Sequence, residues 1–390
     1  MGRCKISISK ACAYFFIVEI DEHNITCYST IIEKAYKRGY IMRKKVSKVI
    51  GQVLLLAMLT VFALWFALRE NGTAIILQIQ RLSMKWILCI LVLGILYYII
   101  QGYVLYMIAK KYNKNIQIKD GVCNAYVAAF FNGVTPLGGG QIAQTYAFRK
   151  LKMSYGDIAS VLWKDFFLYQ SVIVTYASIL LIIGIFMVMP NIFFYYFLAI
   201  IGFFINGSVI LLLWTMAKFP NIYHKITKII IGVGYKLHIV KNQEEVSNKL
   251  DQQMTDFTKQ IQLLKQEKGL IVKAVCCNFV RQTINYAIPV IIIYALGYSL
   301  HLKDILDIFI MSCLIHMLNA LTPLPGDSGW TESAFILIFS IMLGRIDAGT
   351  VMILWRAATY YIHIVIGGFT FLTIRYKKAM SSECLKSVIE

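Results

Sequence analysis

Charged side chains inside long apolar stretches are the residues of this sequence with the clearest chemical potential. Lys164, Asp165, Arg281 and Arg356 all lie within such stretches. A charge at membrane depth is costly, so these residues usually face a polar cavity or a partner and mark a functional path. Arg281 is the strongest candidate for a phosphate contact, because its planar fork suits that group. An ion pair with Asp165 or Glu332 is its structural alternative.

Acidic residues beside a break in the apolar pattern offer the complementary chemistry. Asp327 and Glu332 would contact a lysyl or other cationic headgroup, or carry a coupling proton. Either would alternatively cap a helix that begins there. Lys164, Asp165 and Arg356 are secondary candidates for substrate contact.

Two polar breaks interrupt otherwise apolar segments. The first reads Asn-Gly-Val-Thr-Pro-Leu-Gly-Gly from residue 132, and the second reads Asn-Ala-Leu-Thr-Pro-Leu-Pro-Gly from residue 319. Backbone groups freed at membrane depth are tolerated only where they are buried in protein or line a wet cavity. The candidate substrate contacts in the breaks are Asn132, Thr135, Gly138, Gly139, Gly140, Asn319, Thr322 and Gly326.

Each break has two interpretations. The glycine run Gly138 to Gly140 can present N–H groups, at the positive end of the returning helix, to a lipid phosphate, or it can allow tight helix packing. The asparagines and threonines can hydrogen-bond a headgroup, or they can satisfy carbonyl groups left unpaired by the prolines. The sequence leaves both choices open.

Long apolar runs must position these residues. Each is long enough to cross a hydrocarbon layer of about 30 Å, and they span residues 50–68, 86–109, 158–189, 191–217, 270–298 and 350–374. The broken segments 120–149 and 305–344 differ, because an arm from Asp120 to Thr135 would rise only about 24 Å as a helix. We therefore expect an all-α polytopic membrane protein with six or more transmembrane helices and two re-entrant helical hairpins.

Composition excludes several classes of protein. Of 390 residues, 58% are hydrophobic and 15% are charged, a balance typical of multi-span membrane proteins. The net charge is +19, but the sequence contains no RNA-binding motif and no zinc-finger spacing. We therefore expect the basic residues to contact anionic lipid headgroups and not nucleic acid. Nine cysteines without CxxC spacing predict neither disulfides nor a metal site. We expect no metal, no cofactor and no catalytic residue.

Lysine and arginine placement predicts the topology. Basic residues cluster at 43–48 and 110–119, which the positive-inside rule assigns to the cytoplasm. Both termini are expected in the cytoplasm of a multi-pass cell-membrane protein. The expected parts are an N-terminal extension 1–48, with a more natural start at Met42, a first membrane unit 49–217, a cytosolic linker 218–269, a second unit 270–375 and a cytosolic tail 376–390. The linker is amphipathic at helical spacing, or simply a solvated connector.

The two breaks belong to an internal repeat. Asn319 follows Asn132 by 187 residues, and the whole motif keeps that offset. Leu-Trp-Lys at 162–164 is echoed by Leu-Trp-Arg at 354–356, an offset of 192. The lysine pattern places the first hairpin on the cytoplasmic side and the second outside, so the units are inverted. Inverted repeats with broken helices are typical of alternating-access transporters.

These motifs resemble a known family. The Asn-x-x-Thr-Pro break and the stretch from Pro323 to Glu332 are similar to the flippase-like membrane region of lysylphosphatidylglycerol synthases, over roughly residues 45–375. That family usually has Pro-Gly-Gly-x-Gly-x-x-Glu at the second motif, whereas Asp327 replaces its second glycine here. The first motif departs further, with glycines and Gln141 where an arginine or acidic residue would be expected.

The resemblance implies translocation of a phospholipid of the phosphatidylglycerol or lysyl-phosphatidylglycerol type. Full-length relatives add a cytosolic domain that transfers lysine from lysyl-tRNA, and no stretch of this chain is long enough to be that domain. One alternative is a phosphatidylglycerol lysyltransferase or the membrane partner of a lipid-modifying transferase. Another is a structural or regulatory membrane protein without transport. The expected partners are an anionic or aminoacylated phospholipid and either a second copy of the chain or a separate transferase subunit.

Overall fold

The computed structural model describes residues 72–135, 139–187, 193–218, 266–319 and 325–387. All regular structure in these ranges is helical. The helices are α1 (Gly72–Arg81), α2 (Met84–Ala109), α3 (Ile118–Val134), α4 (Gly140–Lys150), α5 (Tyr155–Met187), α6 (Phe193–Lys218), α7 (Lys268–Ala295), α8 (Leu302–Asn319), α9 (Trp330–Leu343), α10 (Arg345–Arg356) and α11 (Ile362–Ser387). A short 3-10 turn, Pro325–Asp327, precedes α9, and a π-helical segment, Ala357–Tyr361, joins α10 to α11.

Four helical segments are long and apolar enough to cross a membrane: Met84–Ala109, Tyr155–Phe186, Lys268–Ala295 and Arg345–Ile374. They coincide with four of the six expected runs. The run at 191–217 corresponds to α6, and the run at 50–68 lies outside the described residues. The expectation of an all-helical membrane protein is therefore confirmed for the part of the chain that the structure describes.

Helix α2 shows why these segments suit a bilayer. Val104 and Leu105 on one side are fully buried, while Leu88 and Val92 on another are more than half exposed. A helix that is apolar on all sides is stable only when its outer face meets lipid.

The first broken segment forms an antiparallel pair, α3 and α4, which we call the first hairpin. Near its outer end the Asn124 amide donates to the Gln144 carbonyl at 3.1 Å. At the break the Gly140 N–H donates to Asn132 Oδ1 at 2.9 Å. Helix α3 begins where the Gln117 N–H donates to the Asp120 carboxylate at 2.9 Å, an N-terminal cap.

The outer end of the first hairpin lies beside the C-terminal end of α2. Ile116 and Phe148 are buried in one apolar cluster with Leu105, Ile108 and, from the start of α7, Ala274. The first hairpin therefore opens toward the end of the bundle that carries the 110–117 loop.

The second broken segment forms α8 and α9, which we call the second hairpin. Its helices meet at the break, where the Trp330 indole N–H donates to the Leu318 carbonyl at 3.2 Å and the Thr331 hydroxyl donates to Asn319 Oδ1 at 2.9 Å. The intervening turn uses left-handed backbone at Gly326 and Asp327, with φ of 57° and 52°. Aspartate tolerates this conformation better than most residues, so the departure from the family's glycine keeps the turn.

The outer end of the second hairpin lies at the opposite end of the bundle. Asp347, just after α9, accepts hydrogen bonds from Gln78 Nε2 at 2.6 Å and from the Tyr298 hydroxyl. The bond to Asp347 raises the pKa of Tyr298, in the loop before α8, to about 12. Gln78 belongs to α1, the short helix that directly precedes α2, so this network marks the end of the bundle where α2 starts. The two hairpins open in opposite directions.

Candidate functional site

A polar cavity of about 480 Å³ lies between the first hairpin and helices α2, α5 and α7. Three residues singled out from the sequence line it: Asn132, Asp165 and Arg281. The remaining lining residues are Tyr97, Tyr98, Gln101, Ala128, Ala129, Gln141, Gln144, Leu162, Phe166, Tyr169 and Gln170. We call this space the main cavity.

Arg281 forms one wall of the main cavity and is only 4% exposed. Its guanidinium carbon lies 4.4 Å from the ring centre of Tyr97 and 4.1 Å from that of Tyr169. Nη2 donates to the Tyr97 hydroxyl at 2.9 Å, and Nη1 donates weakly to Asn278 Oδ1 at 3.3 Å. Cation–π contacts and directed hydrogen bonds fix a guanidinium in position before any ligand arrives. Its Nε is buried without a hydrogen-bond partner among the described residues.

Asp165 supplies the opposite charge in the same cavity. Its Oδ1 is buried and has no hydrogen-bond partner in the described ranges. The carboxylate and the Arg281 guanidinium interact electrostatically, yet they form no ion pair with an N–O distance of 4.0 Å or less in the described structure. A buried charge without a direct partner is expensive, so the arrangement favours a ligand that places a donor beside Asp165 and an acceptor beside Arg281.

The break of the first hairpin is held by its own side chains. The Gly139 N–H donates to Thr135 Oγ1 at 2.8 Å, and Thr135 Oγ1 donates to the Phe131 carbonyl at 2.5 Å. A Cβ at Gly139 would lie 2.3 Å from Thr135 Oγ1, and one at Gly140 would lie 2.4 Å from Asn132 Oδ1. In this structure Gly139 and Gly140 serve close packing, and their amides are engaged within the hairpin. Gly138 lies outside the described residues.

The second hairpin brings a different set of candidates together. Arg356 Nε lies 2.8 Å from Glu332 Oε1, and both side chains are almost fully buried. Glu332 Oε2 also accepts a hydrogen bond from the Gly329 N–H at 2.6 Å. Glu332 therefore caps α9, which is the structural role that the sequence offered as its alternative. Arg356 further approaches the carbonyl oxygens of Gly326, at 3.5 Å, and Asp327, at 3.4 Å.

These contacts fix the turn of the second hairpin onto α10. Asn319 also belongs to this hairpin, whereas Thr322 lies outside the described residues. None of the described residues at this turn, Asn319 and 325–332, lines the main cavity.

Lys164 points away from the main cavity although it neighbours Asp165. Its Nζ lies 3.2 Å from Glu267 Oε2, directly before α7, and 5.3 Å from the ring centre of Tyr112. This side chain is 2% exposed. Its geometry is that of an ion pair between a buried lysine and a partly exposed glutamate, which joins α5 to the start of α7.

A second, much smaller cavity of about 20 Å³ lies between α7, α8, α9 and α10. That volume suffices for roughly one water molecule. Its polar lining consists of Asn285, Tyr286, Ser312, His316 and Asn319. We call it the small cavity.

The repeat offset relates the two cavities position by position. Four pairs of residues that are 187 positions apart line the main and the small cavity respectively: Tyr98 and Asn285, Ala128 and Ile315, Ala129 and His316, and Asn132 and Asn319. The two cavities are therefore lined by residues that the 187-residue offset makes equivalent. One is open and charged; the other is contracted, and no Asp, Glu, Lys or Arg lines it.

Several residues of the main cavity were not among the candidates predicted from the sequence. The tyrosines Tyr97 and Tyr169 and the amides Gln101, Gln144 and Gln170 are uncharged and lie in apolar or amphipathic helices. A usable signal was present for Tyr98, because the 187-residue offset pairs it with the polar Asn285, one turn beyond Arg281. Among the described residues no group of three or more His, Cys, Asp or Glu side chains is arranged to hold a metal ion.

Comparisons with known proteins identify the family. Residues 49–367 match the family model described as the lysylphosphatidylglycerol synthase TM region. A search of curated proteins finds no match. The family match covers both hairpins, the main cavity and both copies of the repeated motif. On this evidence the chain belongs to the family of the lysylphosphatidylglycerol synthase transmembrane region.

Proposed function

We propose that this protein translocates a phospholipid across the cell membrane, with the headgroup in the main cavity and the acyl chains in the bilayer. The observation that carries the proposal is the preformed pair of opposite, separated charges in a cavity of about 480 Å³. Arg281 binds the phosphate, since its fork is already oriented by Tyr97 and Tyr169. Asp165 accepts hydrogen bonds from the hydroxyl or ammonium groups of the headgroup.

The proposed substrate is phosphatidylglycerol or its lysyl derivative. Both present a phosphate with donor groups nearby: glycerol hydroxyls in the first, and also ammonium groups in the second. The family's description names lysylphosphatidylglycerol, which agrees with a cavity that holds both an anion-binding and a cation-binding side chain.

Transport would proceed by alternating access. The two cavities support this mechanism. If the main cavity contracts while the small cavity expands, the substrate site closes toward one side of the membrane and opens toward the other. In this mechanism the hairpins are re-entrant, at least six helices span the membrane, and the end carrying the 110–117 loop faces the cytoplasm. The lysines at 110–119 support that orientation.

Leaflet exchange in proteoliposomes tests the proposal. The purified protein should exchange reporter-labelled phosphatidylglycerol or lysyl-phosphatidylglycerol faster than empty liposomes do, and Arg281→Ala should return the rate to that of empty liposomes. Lys268→Ala is the matched control, because it removes one positive charge from the exposed start of the same helix. Folded wild-type protein that exchanges neither lipid would overturn the proposal.

Asp165→Asn tests which headgroup the site prefers. This change keeps the size of the side chain and removes its charge, so exchange of the lysyl lipid should fall by at least about 10-fold relative to phosphatidylglycerol, because a charged hydrogen bond contributes about 1.5–3 kcal/mol. Equal loss for both lipids would assign Asp165 to hydroxyl groups that they share.

A second candidate function is favoured by the family description itself. The membrane region named there belongs to a lipid synthase, so the protein would act as the membrane partner of a lipid-modifying transferase. Under that function its main cavity would hold the lipid product without moving it between leaflets. Binding of lysyl-phosphatidylglycerol without leaflet exchange would support this second function.

A further inference from the structure

A separate groove of about 690 Å³ lies beside the outer end of the first hairpin. The start of α3, the end of α4 and α11 form its walls. It is lined by Lys119, Arg149 and Lys150 among others, and Asp120 is its single acidic residue. Asp120 is already engaged in capping α3. The groove is therefore positively charged, and we call it the basic groove.

The cations of the basic groove differ in their freedom to bind a ligand. Arg149 Nη1 donates to the Met153 carbonyl at 2.6 Å, and its guanidinium lies 4.3 Å from the ring centre of Tyr155, so it is oriented by the fold. Lys119 and Lys150 have no acidic partner within 4.0 Å in the described ranges. Lys150 lies only against the ring of Tyr146, at 4.8 Å from its centre. Two lysines are thus available to an anion.

A hydrogen bond joins a residue of the basic groove to a residue of the main cavity. Asn124 lines the groove, Gln144 lines the main cavity, and the Asn124 amide donates to the Gln144 carbonyl. Asn124 is 1% exposed, and its Oδ1 is buried with no donor among the described residues. A buried acceptor without a donor is costly, and a hydroxyl or ammonium group brought through the groove would satisfy it.

The depth of the groove indicates where its ligand comes from. Thr373 and Ile374 form part of the wall, and Ile374 is the last residue of the candidate span Arg345–Ile374. The groove therefore lies at the end of that candidate span, and the end of a membrane helix is where lipid headgroups are met. Lysines at this depth meet lipid phosphates before they meet dissolved ions.

We propose that the basic groove binds the headgroup of an anionic phospholipid, with its phosphate between Lys119 and Lys150. The headgroup then passes the Asn124–Gln144 contact into the main cavity. Binding in the groove stands by itself, whereas this loading role rests on the translocation proposed above.

Binding to the full-length purified protein is the first test. The probes are dihexanoyl-phosphatidylglycerol, dihexanoyl-phosphatidylcholine and inorganic phosphate, each titrated below micelle formation onto the Arg281→Ala background so that the main cavity contributes little. Lys119→Gln with Lys150→Gln should weaken phosphatidylglycerol binding by about 30-fold, since each cation near the surface contributes about five-fold. The control pair, Lys268→Gln with Lys273→Gln, removes the same charge from exposed positions of α7.

The control pair should leave that affinity within about two-fold, because the Debye length of roughly 8 Å screens distant charges. Equal weakening by both pairs would overturn the proposal in favour of general surface charge. Inorganic phosphate that binds as tightly as the anionic lipid, with the same loss in the lysine pair, would also overturn it and assign the groove to free anions.

Leaflet exchange by the lysine pair, with Arg281 intact, tests the loading role. The pair should need a several-fold higher mole fraction of phosphatidylglycerol for half-maximal exchange and should reach the wild-type maximal rate, which a misfolded variant would not. An unchanged concentration dependence, with wild-type exchange intact, would refute loading and leave translocation standing. Absence of exchange by the wild type would refute translocation and loading, while the titrations would still decide binding in the groove.

Discussion

The guanidinium of Arg281 is positioned by two tyrosines that carry no charge themselves. The rings of Tyr97 and Tyr169 both lie against the guanidinium, and Tyr97 also accepts a hydrogen bond from it. The two hydroxyl oxygens lie 3.3 Å apart. The three side chains come from α7, α2 and α5, so this clamp also joins three helices. A lysine at the same place would lose both the planar stack and the fork.

Arg281→Lys therefore separates charge from geometry. We expect the affinity for dihexanoyl-phosphatidylglycerol to fall by about 10-fold or more, because a charged hydrogen bond contributes about 1.5–3 kcal/mol. Titration of the purified variant measures the effect, with Lys119→Gln and Lys150→Gln in both proteins so that the basic groove contributes little. Tyr97→Phe keeps the ring and removes only the hydroxyl, so its loss should be smaller. Wild-type affinity in Arg281→Lys would show that only the positive charge matters.

The ion pair of Glu332 and Arg356 has a structural role at the second hairpin. Because both groups are buried, removal of one partner leaves an unpaired charge, and Glu332→Gln should reduce the free energy of unfolding by about 3–5 kcal/mol. Thermal unfolding in detergent measures this. The double change Glu332→Leu with Arg356→Met should recover much of the loss, because apolar replacement of a whole buried pair is often tolerated. A double variant less stable than Glu332→Gln would contradict this account.

At the scale of elements, α2 and α3 approach each other through glycine. A Cβ at Gly121 would lie 2.2 Å from the Gly102 carbonyl oxygen, and one at Gly102 would lie 2.3 Å from Val122 Cα. Both neighbours are backbone atoms, which have no rotamer to change. The absence of side chains at these two positions therefore sets the distance between a membrane helix and the first hairpin.

Gly121→Ala should destabilise the protein by about 1–3 kcal/mol, the usual cost of overpacking. Gly207→Ala in α6 is the matched control, since a Cβ there meets no atom within 4 Å. That change should be neutral or stabilise by up to about 1 kcal/mol through helix propensity. Unfolding temperatures of the two variants in one detergent decide the matter, and equal temperatures would show that α2 and α3 can separate without cost.

For the whole molecule, the repeat predicts that the two cavities exchange roles. Ala129 and His316 occupy equivalent positions in the main and the small cavity. In a cysteine-free background, Ala129→Cys should react with a membrane-impermeant maleimide from the side of the 110–117 loop. His316→Cys should react from the other side, and only in the exchanged state.

Filling the main cavity should favour that exchanged state. Ala128→Trp adds bulk to the main cavity and should raise labelling of His316→Cys from the side opposite the 110–117 loop by several-fold. The same tryptophan at Ala177, which is buried in the apolar cluster that surrounds the small cavity but lines neither cavity, controls for general loosening of the fold. Equal labelling of His316→Cys in the two tryptophan variants would contradict an exchange between cavities.

The sequence by itself determined the helices, the two breaks and the repeat. Apolar runs of these lengths have few alternatives to a transmembrane helix, because every backbone polar group must be paired inside the bilayer. The repeat was recognisable because a helix that breaks inside the bilayer leaves backbone polar groups unpaired. Polar side chains such as those of Asn132 and Asn319 are then needed at the break, and they stand out in an apolar sequence. Arg281 and Asp165 were found because a charge in an apolar run is rare.

Only the tertiary structure decided which candidates share a site. Lys164 and Asp165 are adjacent in sequence, yet one pairs with Glu267 and the other lines the main cavity, because neighbours on a helix point about 100° apart. Glu332 and Arg356 meet only because α9 lies beside α10. The roles of Tyr97 and Tyr169 depend on packing between separate helices, which no local pattern specifies. The residue types and their neighbours in the sequence identify candidate residues. Which of these candidates share a site depends on how the helices pack.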